Sequence, residues 1–300
     1  MEIYRADSSG GTPVALTHLN DSIESAYQLT PLETSTIDAT DGAKVESFVV
    51  KPPDFDPSKK YPALLLIHGG PEGAWGESWT YRWNAQVFAA AGYVVVMPNP
   101  HGSVGYGQAF TDAVNGDWGG IPYDDIMKTT DYVQALPYID KDRIAAAGAS
   151  YGGYMIDWIM GHTDRFKTLV VHAGVYDLAS EAGTTEELWF PKWEFQGLPW
   201  ENPEMYQRWS PSKPENVKNF KTPTLVTQGE IDYRVPIGQS QQLYTALQQQ
   251  KVPSKFILFP GEGHWILQPQ DSQFWYQNVL DWLAEYMKPG VQNSGEVSAK

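Results

Sequence analysis

Arg143-Ile-Ala-Ala-Ala147-Gly148-Ala-Ser150-Tyr-Gly152-Gly153 decides the fold. A short apolar run, 143–147, ends in a glycine-flanked serine, and residues 151–162 then keep helical spacing. The stretch is Gly-x-Ser-x-Gly set between a buried strand and a helix. The spacing has a steric cause. The chain turns sharply from strand to helix, and a side chain at either glycine would collide with neighbouring backbone. The serine oxygen is lifted above the sheet at a helix N-terminus, where developing negative charge is favoured. Ser150 is therefore the candidate nucleophile. Outside this context the same pattern is an ordinary glycine-serine turn.

Strands and helices alternate on both sides of that turn. Residues 63–67 are wholly apolar between Pro62 and Gly69 and read as a buried strand. Residues 83–91 predict a helix stopped by Gly92, and 93–97 a strand stopped by Pro98. Residues 124–136, 235–250 and 274–287 predict helices; 167–172, 224–227 and 255–259 predict strands. This alternation is that of an α/β protein with a mostly parallel central sheet and helices on both faces. Residues 34–40 and 43–51, joined by Asp41-Gly42, predict a hairpin adding antiparallel strands at one edge. Residues 181–219 are rich in Trp, Pro and Glu and lack a clean period; they read as a partly helical insertion near the mouth of a pocket. The division expected is a short β segment at 1–32, the main domain at 33–290 and a flexible tail at 291–300. The first segment reads strand, turn, strand, which cannot bury a face alone. It either packs on the main domain or ends something further.

Composition narrows the function classes. The chain has 300 residues, 42% hydrophobic and 19% charged, which reads as globular. A formal net charge of -15 has the wrong sign for a nucleic-acid partner. The absence of cysteine removes disulfides, thiolate nucleophiles and Cys-based zinc sites. No His-Glu-x-x-His spacing supports a zinc hydrolase, so neither metal nor cofactor is expected. No run approaches the roughly 20 apolar residues of a membrane helix. The expectation is a soluble chain with no membrane partner and no visible signal peptide, cytoplasmic by default.

A serine needs a base, because its free hydroxyl is a weak nucleophile at neutral pH. Chain order in this architecture is nucleophile, acid, histidine, which leaves His162, His172 and His264. His162 ends a helix and suits the dipole there. His172 lies inside a strand run. His264 sits in Gly261-Glu-Gly-His264, directly after the last strand, where catalytic groups are carried. The acid belongs on the preceding loop, where Glu230 and Asp232 compete. An oxyanion also needs donors. One is the backbone N–H of Tyr151; the other is that of Gly70, in His68-Gly-Gly-Pro71 after the first central strand.

Taken together, His68-Gly-Gly-Pro71, Asn99-Pro-His-Gly-Ser103, Gly148-Ala-Ser-Tyr-Gly-Gly-Tyr154, Asp232-Tyr-Arg-Val-Pro236 and Glu262-Gly-His264 resemble the catalytic domain of the prolyl oligopeptidase family. Within it the chain looks most similar to dipeptidyl-peptidase V and acylaminoacyl-peptidase types. The resemblance implies the α/β-hydrolase fold and a triad of Ser150, Asp232 and His264. It implies that Arg234 binds a substrate carbonyl, and that Tyr151, Val175, Trp189 and Val235 line an apolar pocket for the residue before the scissile bond. Without it, Arg234 reads as a surface ion-pair residue. Glu186 and Glu187 read as a solvated helix start or as an anchor for a substrate amine. Many members have Arg where this chain has His101. Members also carry a large β-propeller, whose end residues 1–32 resemble. The implied partner is a small peptide or ester substrate. A peptidase is the leading expectation and a carboxylesterase the alternative, with apolar surface left open for self-association as a possible homo-oligomer.

Overall fold

The computed structural model describes residues 2–288; the tail expected at 291–300 lies outside the described residues. In chain order the elements are β1 (Tyr4–Arg5), β2 (Val14–Ala15), α1 (Asp21–Ala26), β3 (Leu32–Asp38), β4 (Lys44–Val50), β5 (Tyr61–Ile67), α2 (Ala85–Ala90) and β6 (Val94–Pro98). Next come α3 (Gln108–Asp112), α4 (Ile121–Ala135), β7 (Ile139–Ala149), α5 (Tyr151–His162) and β8 (Thr168–His172). The chain continues through α6 (Leu178–Ala182), α7 (Trp189–Glu194), α8 (Pro203–Trp209), α9 (Pro214–Val217), β9 (Thr224–Gly229), α10 (Gly238–Gln249), β10 (Ser254–Phe259) and α11 (Pro269–Met287).

The main sheet has the order β10-β9-β8-β7-β5-β6-β4-β3. Pairings from β10 through β6 are parallel; β6–β4 and β4–β3 are antiparallel. The hairpin therefore sits at the edge, as its Asp41-Gly42 turn implies. In β5, Ala63, Leu65 and Ile67 pack in one apolar layer and Leu64 and Leu66 in the other. A two-residue period sends alternate side chains to opposite faces, so a strand covered on both sides must be apolar throughout. Burying each leucine contributes about 1.5–3 kcal/mol. One layer is closed by α4, α5 and α10, through Ile126, Met155 and Leu243. The other is closed by α2 and α11, through Phe88, Val279 and Leu283.

Four expected helices start elsewhere: α4 at Ile121, and three others each for a local reason. The Asn84 side chain accepts the N–H of Gln86, which sets the start of α2. The N–H groups of Arg234 and Val235 are taken by Asp232, so α10 begins only at Gly238. The carboxylate of Glu262 accepts from Leu267 and Gln268 and starts α11 at Pro269. The insertion is helical in pieces, α6 to α9. The N-terminal segment forms the expected antiparallel pair β1–β2. It meets the domain through Gln28 on Asp54 and Thr30 on Gln86, while Ile3, Tyr4, Leu19 and Tyr27 stay exposed. Among the described residues, no helix is long and apolar enough to cross a membrane.

Candidate active site

Ser150 stands between β7 and α5 with φ 59 and ψ -122. A non-glycine residue rarely adopts this conformation, and strain of this kind collects at functional sites. The surroundings leave it no alternative. Its N–H is held by the His172 carbonyl at 3.0 Å and its carbonyl by the Tyr154 N–H at 2.9 Å. A Cβ on Gly148 would lie 2.3 Å from the Gly152 oxygen, and one on Gly152 would lie 2.1 Å from the Ile67 oxygen. Both glycines of the motif are thus fixed by close backbone approach.

His264 lies on the loop after β10, Asp232 on the loop after β9. His264 Nδ1 is 2.8 Å from Asp232 Oδ2. The carboxyl is fully engaged: Oδ2 also accepts from Gln228 Nε2 at 3.1 Å, and Oδ1 from the N–H groups of Arg234 (3.0 Å) and Val235 (2.9 Å). Of the two acids that compete in the sequence, Asp232 meets the histidine. Glu230 instead accepts from the Gly261 N–H at 3.1 Å. On its far side, His264 Nε2 is buried without a hydrogen-bond partner among the described residues. Ser150 and His264 line one cavity of about 370 Å³. A base held by an acid, with its second nitrogen unpaired and a serine lining the same cavity, is equipped for proton transfer.

The remaining expected residues border the same cavity: Gly70, Tyr151, Val175, Trp189, Arg234 and Val235. Gly69 packs so closely that a Cβ there would lie 3.2 Å from Ser150 Cβ. The backbone N–H groups of Gly70 and Tyr151 have no acceptor among the described residues. Tyr151, Val175 and Val235 are buried, whereas Trp189 is 67% exposed at the rim. Arg234 pairs with both neighbouring acids, 3.4 Å from Glu186 and 3.0 Å from Glu187. Both glutamates precede α7 and each carries an ion pair to Arg234. The other two histidines weighed as bases take different places. His162 donates from Nδ1 to the Trp158 carbonyl at 2.7 Å and stacks on that ring. His172 lies behind His264 in a pocket shared with Trp83 and Trp275.

Several supporting groups escape sequence reading. Gln228 is wholly buried and joins Asp232 to the Val235 carbonyl and to the Ser240 hydroxyl. Glu262 fixes the turn that follows His264. Burial brings the imidazoles of His68 and His172 down to about 4, so both are neutral at pH 7. His101, at the position where many family members have arginine, is buried between Asp125 (2.6 Å) and Asp41 (3.2 Å) and stacks on Phe110. It ties the β3–β4 turn to α4, away from the cavity.

Comparison with known proteins agrees with this fold. The prolyl oligopeptidase family profile matches residues 79–290. Dipeptidyl-peptidase 5 of Aspergillus oryzae is 48% identical over 256 residues, covering 84% of this chain and 35% of that protein. A probable dipeptidyl-peptidase 5 of Aspergillus clavatus is 43% identical over 303 residues, covering 99% of this chain and 41% of its own length. The chain thus spans well under half the length of these relatives. An acylaminoacyl peptidase solved with Z-Gly-Gly-Phe-chloromethyl ketone superposes with a TM-score of 0.87 at 28% identity, covering 96% of this chain and 46% of that one. An acylaminoacyl peptidase of Pyrococcus horikoshii gives 0.86 at 27%, covering 97% and 47%. With the α/β-hydrolase sheet, the strained serine between Gly148 and Gly152 and a family match over most of its length, the chain belongs to the prolyl oligopeptidase family.

Proposed function

We propose that the chain is a serine peptidase unit that cleaves short peptides, or acyl- and dipeptidyl amides, by acyl transfer to water. Ser150 Oγ attacks the carbonyl carbon while His264 Nε2 takes its proton. The carbonyl oxygen becomes an oxyanion, met by the N–H groups of Gly70 and Tyr151. His264 then gives the proton to the departing amine, leaving an acyl-enzyme ester on Ser150. Water, deprotonated by His264, attacks that ester; the acid product departs and the proton returns to Ser150. Asp232 holds the imidazole in the required tautomer throughout. Arg234 receives a substrate carbonyl, with Glu186 and Glu187 fixing its guanidinium.

The observation that carries this reading is the His264–Asp232 contact of 2.8 Å, with Nε2 left unpaired and the histidine lining the same cavity as Ser150. Relatives named as peptidases favour amides over the esters of a carboxylesterase. We also read residues 1–32 as a segment apart from the domain, since its apolar side chains Ile3, Tyr4, Val14, Leu16, Leu19, Ile23, Tyr27 and Leu29 stay exposed, Leu32 alone joining the main sheet. The test compares dipeptidyl 4-nitroanilides with 4-nitrophenyl butyrate, using wild type and Ser150→Ala. Amide turnover lost in the variant is expected. Ester turnover without amide turnover would replace the reading by the esterase one.

A further inference from the structure

Glu181 has no role in the chemistry above, yet it lines the same cavity as Ser150. It belongs to α6, between buried Leu178 and Ala182, and is itself 7% exposed. Its helix is firmly held. Asp177 accepts the Ser180 N–H at 2.8 Å and the Ser212 hydroxyl at 2.6 Å, and Ser210 Oγ accepts the Leu178 N–H at 3.0 Å. Within this rigid setting Glu181 Oε2 is buried with no hydrogen-bond partner among the described residues. An unmatched buried polar atom costs about 1–3 kcal/mol, so natural structures seldom keep one without use.

The walls around it describe the missing partner. Trp118, Phe190 and Phe195 supply aromatic faces, and Val175 and Val235 supply aliphatic ones. A cavity of about 370 Å³ has room for an aromatic side chain. Burial, with the charges of Asp232 and Glu187 nearby, pushes the Glu181 carboxyl up to about 9. At neutral pH it therefore carries a proton and can both donate and accept. A phenol has the same two capacities at the end of an aromatic ring. A phenylalanine would dehydrate the carboxyl and leave it unpaired. A lysine would carry its ammonium out of water into a pocket walled mainly by aromatic and aliphatic side chains, at a desolvation cost.

We propose that Glu181 selects the residue before the scissile bond, its carboxyl pairing with the hydroxyl of a phenolic side chain such as tyrosine. This rests on the peptidase reading above and names the substrate class of that site. Rates on Ala-Tyr, Ala-Phe and Ala-Lys coumarylamides would be measured for wild type, Glu181→Leu and Glu181→Gln. Wild type should favour Tyr over Phe by about tenfold in kcat/KM. The leucine variant should bring that ratio near one by losing rate on Tyr. The glutamine variant should keep most of it, because an amide still donates and accepts. Calorimetric binding of free Ala-Tyr and Ala-Phe to Ser150→Ala reads the same preference without turnover. Failure of hydrolysis then counts against the peptidase reading alone. An unchanged Tyr/Phe ratio across the three proteins, equal binding of the two dipeptides, or a preference for Lys would overturn the proposal.

Discussion

His172 Nε2 lies 3.3 Å from the backbone carbonyl of His264. A carbonyl only accepts, so the proton sits on Nε2 and Nδ1 takes the Thr227 hydroxyl at 2.9 Å. A neutral, buried imidazole thus props the loop that carries the candidate base. His172→Phe removes the prop and should lower kcat about tenfold with little change in KM, and His172→Gln should restore part of it. Steady-state kinetics across the pH range would check this. Equal losses for both variants, through KM, would point to general unfolding of the site instead.

The four donors on Asp232 predict two distinct defects. Asp232→Asn keeps the shape but presents the wrong group to Nδ1, and should cost about 10⁴ in kcat. Gln228→Leu removes one donor and the brace to Ser240. It should lower stability by about 1–3 kcal/mol as well as slowing turnover. Urea denaturation beside kinetics separates them, with Asp232→Asn expected to move mainly the rate.

Arg234 is half-exposed, so its ion pairs with Glu186 and Glu187 contribute little to stability. Its removal should be felt in substrate binding. Arg234→Ala should raise KM about tenfold and leave the melting temperature nearly unchanged. Arg234→Lys should recover only part, since a lysine lacks the planar fork of donors. A melting temperature that falls while KM rises would show that the pairs hold the insertion together.

Glu181 also predicts a stability profile. Its carboxyl titrates near 4.5 when unfolded and about 9 when folded. Across that window the folded chain keeps a proton that the unfolded chain has lost. Stability therefore falls as pH rises from about 4.5 to about 9. Glu181→Gln removes this penalty. The variant should be more stable than wild type at pH 8, with the difference closing towards pH 5, as read by thermal unfolding at each pH.

The serine turn was legible because steric need writes itself into glycine spacing. The parallel strands were legible because double-sided burial demands unbroken apolar runs such as 63–67. His264 followed from its place after the last strand. Asp232 over Glu230 was not decided by the residues alone: both are acids on one loop, and only the backbone path determines which carboxyl reaches Nδ1. Gln228 and Glu181 were equally hidden. A buried polar side chain inside an apolar strand or a short helix carries no periodic mark, and its partners come from distant segments. Likewise the residues 181–219 gave no period, because α7, α8 and α9 are shorter than the window in which one can be seen.

The Gly229 backbone meets the Gly263 carbonyl so closely that a Cβ would lie 2.0 Å away, and Ile231 donates to the Glu262 carbonyl at 3.0 Å. The acid-bearing and histidine-bearing loops are therefore sewn into a single plate. α6 and α7 line the cavity from a different stretch of chain. Inheritance can then act on the two parts at separate speeds. Insertions and substitutions in 178–195 reshape what is admitted, while the plate tolerates almost no change in length. Descendants of such a chain would diverge first in diet and last in chemistry.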